Sequence, residues 1–283
     1  MDQKTRPVSS DEHARVDADE HLPFGHFAPN AWQRALISLA ARSFLRRGEF
    51  RHLTTGIIMG SSGKPIDVHF RGCAYRLRGR NNLIELGLLL NPGYNATDID
   101  FLLDGGKPGD VFVDIGSNIG LYALPMARRA GASGRVVAID ANPLMARRLA
   151  WNATASGLDN VAIFACAVAD REGSGSLNIR KNDVAIVSVE EEAGGSVPIR
   201  TLASILDEAK VQHIHGLKID IEGHEDKALA PFIASAAEQR LPKRIVIERP
   251  PGNADYPACA SAFAARGYRL AGRSRNNSFY LRD

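Results

Sequence analysis

Apolar positions along the second half of the chain follow two alternating periods. Short runs rich in β-branched residues recur at Val111–Ile115, Val136–Asp140, Val161–Ala165, Gly216–Ile221 and Arg244–Glu248. Between and after them lie stretches with apolar residues three and four apart: Leu121–Ala130, Pro143–Ser156, about Leu202–Lys210, Glu225–Gln239 and Pro257–Arg266. The runs predict strands and the longer period predicts helices. Their alternation predicts a parallel sheet with right-handed crossovers. Two last runs, Tyr268–Ala271 and Ser278–Leu281, are close enough to pair across Arg273–Asn277, which places one antiparallel strand in the sheet. A polar insertion, Asp170–Ser196, interrupts the series, and no internal repeat is visible.

The first hundred residues follow another rule. Met1 to about Pro29 is polar and charged, with few large apolar residues, and reads as a disordered tail. Ala31–Phe50 has helical spacing, with Trp32, Leu36, Leu39, Ala40 and Phe44 on one side and arginines between. That suits a packing helix with a solvated basic edge, or alternatively a substrate lid or membrane-surface helix. Pro65–Phe70 and Ala74–Arg78 predict a hairpin across Arg71-Gly72. Asn81–Leu90 and Ala96–Leu103 predict helices, the second capped by Asn95 or Thr97 and stopped by Gly105-Gly106. The expected organisation is a tail over 1–29, a cap of helices and hairpin over 30–106, and an α/β domain over 107–283.

Bulk properties narrow the field. The chain has 283 residues, 45% hydrophobic and 24% charged, enough for one large domain with an appendage. A formal charge of +3 gives no basic stripe of the kind nucleic acid needs. Cys73, Cys166 and Cys259 are scattered and odd in number, so a reducing, cytoplasmic compartment is expected. No secretory pattern opens the sequence, and no apolar run is long enough to span a membrane. Membrane contact is therefore expected to be peripheral if it occurs.

Candidate chemistry begins at V-F-V-D-I-G-S-N-I-G, Val111–Gly120. A strand ends near Asp114, a turn carries Gly116, Ser117, Asn118 and Gly120, and a helix follows. The glycines let the chain turn sharply and let a ligand approach the backbone. A dinucleotide site wants G-x-G-x-x-G, and a P-loop wants G-K-[ST]. Neither is present; the pattern is G-x-N-x-G. A ligand with a nucleoside and a cation but no phosphate fits, and S-adenosyl-L-methionine is such a ligand. Asp140 lies 20 residues after Gly120, at the end of the next strand, where an acidic residue bonds ribose hydroxyls. The alternative makes Asp140 the N-cap of the helix begun by Pro143. Ala167 to Asp170, the A-V-A-D after the third strand, falls where an adenine edge would lie; Asp170 could equally be a turn residue.

The segment L-K-I-D-I-E-G-H-E, Leu217–Glu225, is the second informative stretch. A central parallel strand should be apolar on both faces. Alternation instead puts Lys218, Asp220 and Glu222 on one side. Asp220 and Glu222 fall at the carboxyl end, where open α/β sheets bind ligands. Either they serve catalysis or Lys218 and Asp220 form an ion pair while Glu222 opens the next helix. Glu248 ends the neighbouring strand and should face the same crevice. With Asp220 it could hold a divalent metal, a secondary option, or hydroxyls of a sugar-like acceptor. His224 is the histidine placed to act as a base, whereas His213 and His215 read as surface residues.

Taken in order, V-D-I-G-S-N-I-G, A-I-D-A-N-P, A-C-A-V-A-D-R-E-G, T-L-A-S-I-L, L-K-I-D-I-E-G-H-E and I-V-I-E resemble the FkbM-type methyltransferases. The likeness spans about Gly109 to Glu248. It implies a Rossmann-like class I methyltransferase fold: a seven-stranded, mostly parallel sheet with a C-terminal antiparallel hairpin, here behind an N-terminal α+β cap. It also implies S-adenosyl-L-methionine as cofactor and hydroxyls of sugars, glycolipids or secondary metabolites as acceptors. Asp140 stands where the family usually has Glu in E-P-N-P, which keeps the carboxylate and shortens its reach. Ala141 replaces the Pro of that motif, and Ala203 replaces the Asp of T-L-D. The expected function is O-methylation of a small-molecule or glycan hydroxyl, with Asp114, Gly116, Ser117, Asn118, Gly120, Asp140, Ala167 and Asp170 at the cofactor. Asp220, Glu222 or His224 would be the base. The rivals are a cofactor-binding protein without turnover and an NAD-linked oxidoreductase.

Overall fold

A computed structural model of the chain describes residues 19–283, apart from 61–63, 80–81, 181–182, 193, 251 and 253. Helices α1 (Ala31–Ala41) and α2 (Gly48–Met59) come first, joined through a short 3-10 turn at Phe44–Arg46. The single helix expected over Ala31–Phe50 is thus two. Ser43 breaks it, its hydroxyl accepting from the Leu45 N–H at 3.3 Å. Leu36 and Ala40 pack inward, while Trp32, Leu39 and Phe44 are 55%, 59% and 63% exposed. The anticipated packing face is therefore only half used.

A hairpin follows, β1 (Ile66–Phe70) paired with β2 (Cys73–Leu77), and then helices α3 (Leu83–Leu90) and α4 (Ala96–Leu103). The part of the presumed tail that is described, from Asp19 on, is held against this hairpin. The buried Arg76 guanidinium pairs with Asp67 at 2.8 Å and donates to the carbonyls of Asp19, Leu22 and Pro23. Asp67 also accepts from the Gly25 and Phe27 N–H groups. Trp151 donates to the Glu20 carbonyl at 3.0 Å. Few large apolar residues were needed, because one buried cation satisfies a whole segment of backbone. The first 18 residues of the expected tail lie outside the described residues.

The central sheet is built from β3 (Val111–Ile115), β4 (Arg135–Ile139) and β5 (Val161–Phe164), with helices α5 (Ala123–Ala130) and α6 (Pro143–Ala155) connecting them. Beyond β5 the chain leaves for β6 (Ala167–Ala169), β7 (Gly173–Arg180), β8 (Asp183–Glu191) and β9 (Val197–Thr201). These make a separate four-stranded sheet in the order β6-β9-β7-β8. The polar insertion is therefore a β-ribbon. Helix α7 (Leu202–Glu208), strand β10 (Gly216–Ile219), helix α8 (Glu225–Ser235), strand β11 (Arg244–Glu248), helix α9 (Pro257–Ala265) and strands β12 (Arg269–Arg273) and β13 (Asn277–Leu281) complete the chain.

The main sheet runs β12-β13-β11-β10-β3-β4-β5. Five strands are parallel; β13 runs antiparallel to β11, and β12 closes the edge against it. This is the Rossmann-like seven-stranded arrangement. Alternate residues of the central strands enter two cores. Phe112, Val136, Ala138 and Val246 join one, with α5, α6 and the apolar residues Tyr75, Leu77, Ile99 and Leu102 of the N-terminal elements. Val113, Ile115, Val137, Ile139, Leu217 and Ile245 join the other, under α7, α8 and α9. The N-terminal elements thus complete a core of the sheet itself. His215, expected at the surface, is 6% exposed. Its Nδ1 lies 3.4 Å from Asp110 and its Nε2 is 3.1 Å from the Asp104 carbonyl.

Candidate active site at the carboxyl ends of the strands

The turn after β3 is fixed by its neighbours. Gly116 and Ser117 donate to the Ile139 carbonyl at 2.8 and 3.0 Å. Gly116 has φ +80, and a Cβ there would sit 1.9 Å from the Asp220 carbonyl oxygen. Gly120 has φ +99, and a Cβ would meet Leu149 at 2.4 Å. Room for a ligand is therefore not why these are glycines. The spaces are filled by the neighbouring strand and by helices α5 and α6.

Asn118 is left-handed at φ +47. Its Oδ1 accepts from Asn82 at 3.0 Å and from the Ile119 N–H at 2.8 Å, which holds that conformation. Its own N–H donates to Asp140 Oδ2 at 2.7 Å, and Asp140 Oδ1 accepts from the Asn142 N–H at 2.8 Å. The helix cap belongs to Asn142, whose side chain accepts from Leu144. Asp140 is thus free of the capping role and welds two turns together. Burial raises its carboxyl to about 6, against the two N–H groups that lower it.

A cavity of about 1010 Å³ opens above these turns. Gly116, Ser117, Asn118, Asp140 and Ala167 stand on its wall. Ser117 Oγ is buried there with no hydrogen-bond partner. Asp114, Gly120 and Asp170 are not on the wall. Asp114 is fully buried under the turn, both oxygens outside hydrogen-bonding geometry. Burial raises its carboxyl to about 7, with Lys218 and the Ala123 N–H opposing. Asp170 is exposed, 3.8 Å from Arg171, which does line the cavity.

The opposite wall carries the charged segment. Strand β10 ends at Ile219, and the Asp220 N–H extends the ladder by one bond to the Ile115 carbonyl at 3.0 Å. Glu222 then turns left-handed at φ +56 and is exposed. The expected alternation of Lys218, Asp220 and Glu222 on one strand face therefore stops at Asp220. Glu222 and His224 still reach the cavity, from the loop. Glu225, fully buried and not singled out from sequence, holds that loop by accepting from the Ile221 and Gly223 N–H groups at 2.8 and 2.9 Å.

Lys218 is 1% exposed. Its Nζ donates to the Ile219 carbonyl at 2.8 Å, lies 3.3 Å from Asp220 and sits over the Tyr122 ring at 5.3 Å. Glu248, at the end of adjacent β11, faces the same space and hydrogen-bonds Asp220. Burial, the largest single influence, raises Asp220, but the Lys218 charge and the hydrogen bonds from Glu248 and Lys218 together outweigh it, so Asp220 is held below the usual carboxylate range. Burial and the Asp220 charge raise Glu248. The opposite directions favour the state in which Glu248 carries the proton and Asp220 is the carboxylate. Oxygens of Asp220, Glu225 and Glu248 lie within 4.8 Å of one another, a spacing that suits a cation. Glu225 is already committed to two N–H groups, which leaves Asp220 and Glu248 as the carboxyls open to either a proton or a cation between them.

Three residues that sequence reading missed complete the cavity beside Lys218. Tyr122 donates to Asp98 at 3.1 Å and accepts from Asn95 at 2.8 Å, and Asn277 donates to Asp98 at 2.6 Å. They come from α4, the start of α5 and β13, with no motif to join them.

Glu248 gives a stability test. A carboxyl raised by folding stabilises the protein fully below its unfolded pKa and loses that contribution as pH rises through the folded value. Asp114 and Asp140 act in the same sense. Glu248→Gln is therefore expected to become more stable relative to the wild type as pH rises from 4 towards 9. Melting temperatures across that range check this; a constant difference between the two proteins would refute it.

The methyltransferase FkbM domain family matches residues 114–270. No curated protein sequence matches the chain. Among solved structures, a SAM-dependent O-methyltransferase of Thermotoga maritima is 14% identical with a TM-score of 0.41, covering 66% of this chain, which spans 64% of that one. TYW2 of M. jannaschii, solved with AdoMet, is 14% identical with a TM-score of 0.42, covering 79% and 89%. A SAM-dependent methyltransferase of Agrobacterium tumefaciens is 11% identical with a TM-score of 0.47, covering 78% and 70%.

Proposed function

The chain belongs to the FkbM family of S-adenosylmethionine-dependent methyltransferases, and from that premise we propose that it methylates a hydroxyl oxygen of a sugar, glycolipid or secondary metabolite. One observation carries the reading. A single cavity joins Ser117 and Asp140 on one side to an ionised Asp220, backed by Lys218 and Glu248, on the other. The first group suits a nucleoside and the second suits a hydroxyl that must lose a proton. An NAD enzyme would want G-x-G-x-x-G at this turn, where the chain has Gly116, Asn118 and Gly120 in G-x-N-x-G, and a silent binding protein has no use for the second group.

S-adenosyl-L-methionine supplies an electrophilic methyl group on a sulfonium. Asp140 would hold the ribose, with Ser117 Oγ offering an unpaired hydroxyl beside it. Gly116, Asn118 and Ala167 shape the same wall. Gly120 acts from beneath by letting the turn pack against Leu149 and Leu124, and Asp114 lies buried under it. The acceptor hydroxyl would donate to Asp220, whose charge is supported by Lys218 and whose carboxylate is neighboured by Glu248. Glu222 and His224, at the mouth, are the remaining base candidates. The Tyr122–Asp98–Asn277 wall offers donors and acceptors for further hydroxyls. Positioning of the two reactants is worth up to about 7–11 kcal/mol, and a base adds about 10²–10⁴-fold.

Among the described residues no helix is long and apolar enough to cross a membrane. Cys73, Cys166 and Cys259 are buried free thiols, which supports a reducing compartment such as the cytoplasm. The modest net charge supports a small-molecule or glycan acceptor over nucleic acid.

The cofactor assignment is tested by calorimetry with S-adenosylhomocysteine. Asp140→Asn is expected to weaken binding by about 1–3 kcal/mol, the effect of leaving a ribose hydroxyl badly paired. Wild-type affinity should also fall as pH drops through about 6, because protonation removes the acceptor. Affinity that is unchanged in a folded variant and flat with pH would take Asp140 out of the site, and binding of NAD instead would overturn the cofactor.

A further inference from the structure

A second pocket, about 610 Å³, adjoins the cavity and shares Arg51, Gly93, Tyr94 and Arg275 with it. Arg46 and Arg47 complete a ring of four guanidiniums around it. Elsewhere several buried or half-buried arginines hold carboxylates: Arg76 has Asp67, Arg148 has Glu85, and Arg244 has Asp104. Of the pocket's four arginines, Arg46 and Arg51 are half-buried and Arg47 and Arg275 exposed. Among the described residues none of these four does. Arg46 reaches only the Asn91 amide at 3.3 Å, and Arg51 Nε is buried without a partner. Helix α2 starts here, with Arg47 as its N-cap and no side chain capping its first N–H groups. Glu49 in that first turn is exposed and not on the pocket wall.

Four guanidiniums without a carboxylate partner among the described residues line one concavity and repel one another, and a bound anion would relieve that repulsion. Arginine's planar fork fits a phosphate through paired hydrogen bonds. The open helix start adds backbone donors of the same sense. We infer that this annex binds a phosphate group carried by the methyl acceptor, so that the substrate class is a phosphorylated hydroxyl compound. The inference rests on the methyltransferase reading for the word acceptor. The phosphate could belong to a soluble nucleoside diphosphate conjugate or to a lipid-linked one. The lipid source has support in Phe44, Phe50 and Leu53, which are 63%, 51% and 63% exposed on the same short turn and helix.

The test is binding of pyrophosphate, UDP and phosphatidylcholine vesicles containing phosphatidic acid to the full chain. The variants are Arg46→Gln/Arg47→Gln and a control, Arg42→Gln/Arg269→Gln, which removes the same charge away from the pocket. Loss of charge-assisted bonds predicts affinity weaker by about tenfold or more in the first and by less than about twofold in the control, where only screened charge is lost. Saturable binding of pyrophosphate and UDP that the first variant loses supports a soluble conjugate. Vesicle binding lost in the same selective way supports a lipid-linked one. No binding of any probe, or equal loss in both variants, overturns the inference. S-adenosylhomocysteine affinity, read separately, should be unchanged in both variants. If the wild type fails to bind S-adenosylhomocysteine, the methyltransferase reading falls while the phosphate site is still judged on its own probes.

Discussion

Gly116→Ala is expected to destabilise the protein by about 2–5 kcal/mol. Two effects add. The backbone is left-handed at φ +80, which disfavours an L side chain by about 1–2 kcal/mol. The added Cβ would also lie 1.9 Å from the Asp220 carbonyl, so the turn and the end of β10 must separate. Forcing atoms into a packed site costs about 1–3 kcal/mol, sometimes more. Gly157 isolates the first effect, since its φ is +67 and nothing lies within 4 Å of a Cβ there. Gly157→Ala should therefore cost only about 1–2 kcal/mol. Urea midpoints at a common slope measure both. If the two variants agree within about 0.5 kcal/mol, the backbone contact is not the reason for glycine at 116. Because Gly116 touches the backbone that carries Asp220, the same substitution should also disturb catalysis.

The strands at Val111, Arg135, Val161 and Arg244 were legible because a strand covered on both faces is largely apolar, and the one at Gly216 stood out by the charges that interrupt that pattern. The closing hairpin was legible from its two runs and short connection. The pairing of Asp220 with Glu248 was also legible, since parallel strands bring their carboxyl ends to one edge. What a glycine avoids is a different matter. At Gly116 the avoided atom belongs to a residue over a hundred positions later, and no local pattern records it. The same holds for Tyr122, Asp98 and Asn277, which meet only after α4 and β13 are packed. The ribbon of β7 and β8 was hidden because its first strand, G-S-G-S-L-N-I-R, reads as turn residues. Glu225 did carry a signal: an acidic residue in the first turn of a helix, after I-E-G-H, is placed to accept from the N–H groups before it.

Asp220→Asn is expected to lower turnover of an accepted hydroxyl substrate by about 10²-fold or more, the effect of losing a positioned base. Affinity for S-adenosylhomocysteine should stay close to wild type, because Asp220 touches the turn through its backbone and not its side chain. The neighbours sharpen the expectation. Lys218 helps hold Asp220 ionised, so turnover at saturating cofactor should persist to a pH below the usual carboxylate range before its acid limb falls, even though cofactor affinity itself weakens below about 6. Glu248 is raised, so it still carries its proton at neutral pH and loses it on the alkaline side. Loss of that proton removes the donor that orients Asp220 and sets a second charge beside it, so turnover should decline there. Glu248→Gln keeps a donor and cannot ionise. It should therefore remain within about tenfold of wild type at neutral pH and lack the alkaline limb. Chelator should leave the wild type unaffected if a proton, not a cation, bridges the two carboxyls; activity lost to chelator and restored by a divalent metal would make them ligands instead. Wild-type turnover by Asp220→Asn would reduce the Lys218–Asp220–Glu248 cluster to a buried ion network, and the base would have to be sought at Glu222 or His224, on the loop that Glu225 holds.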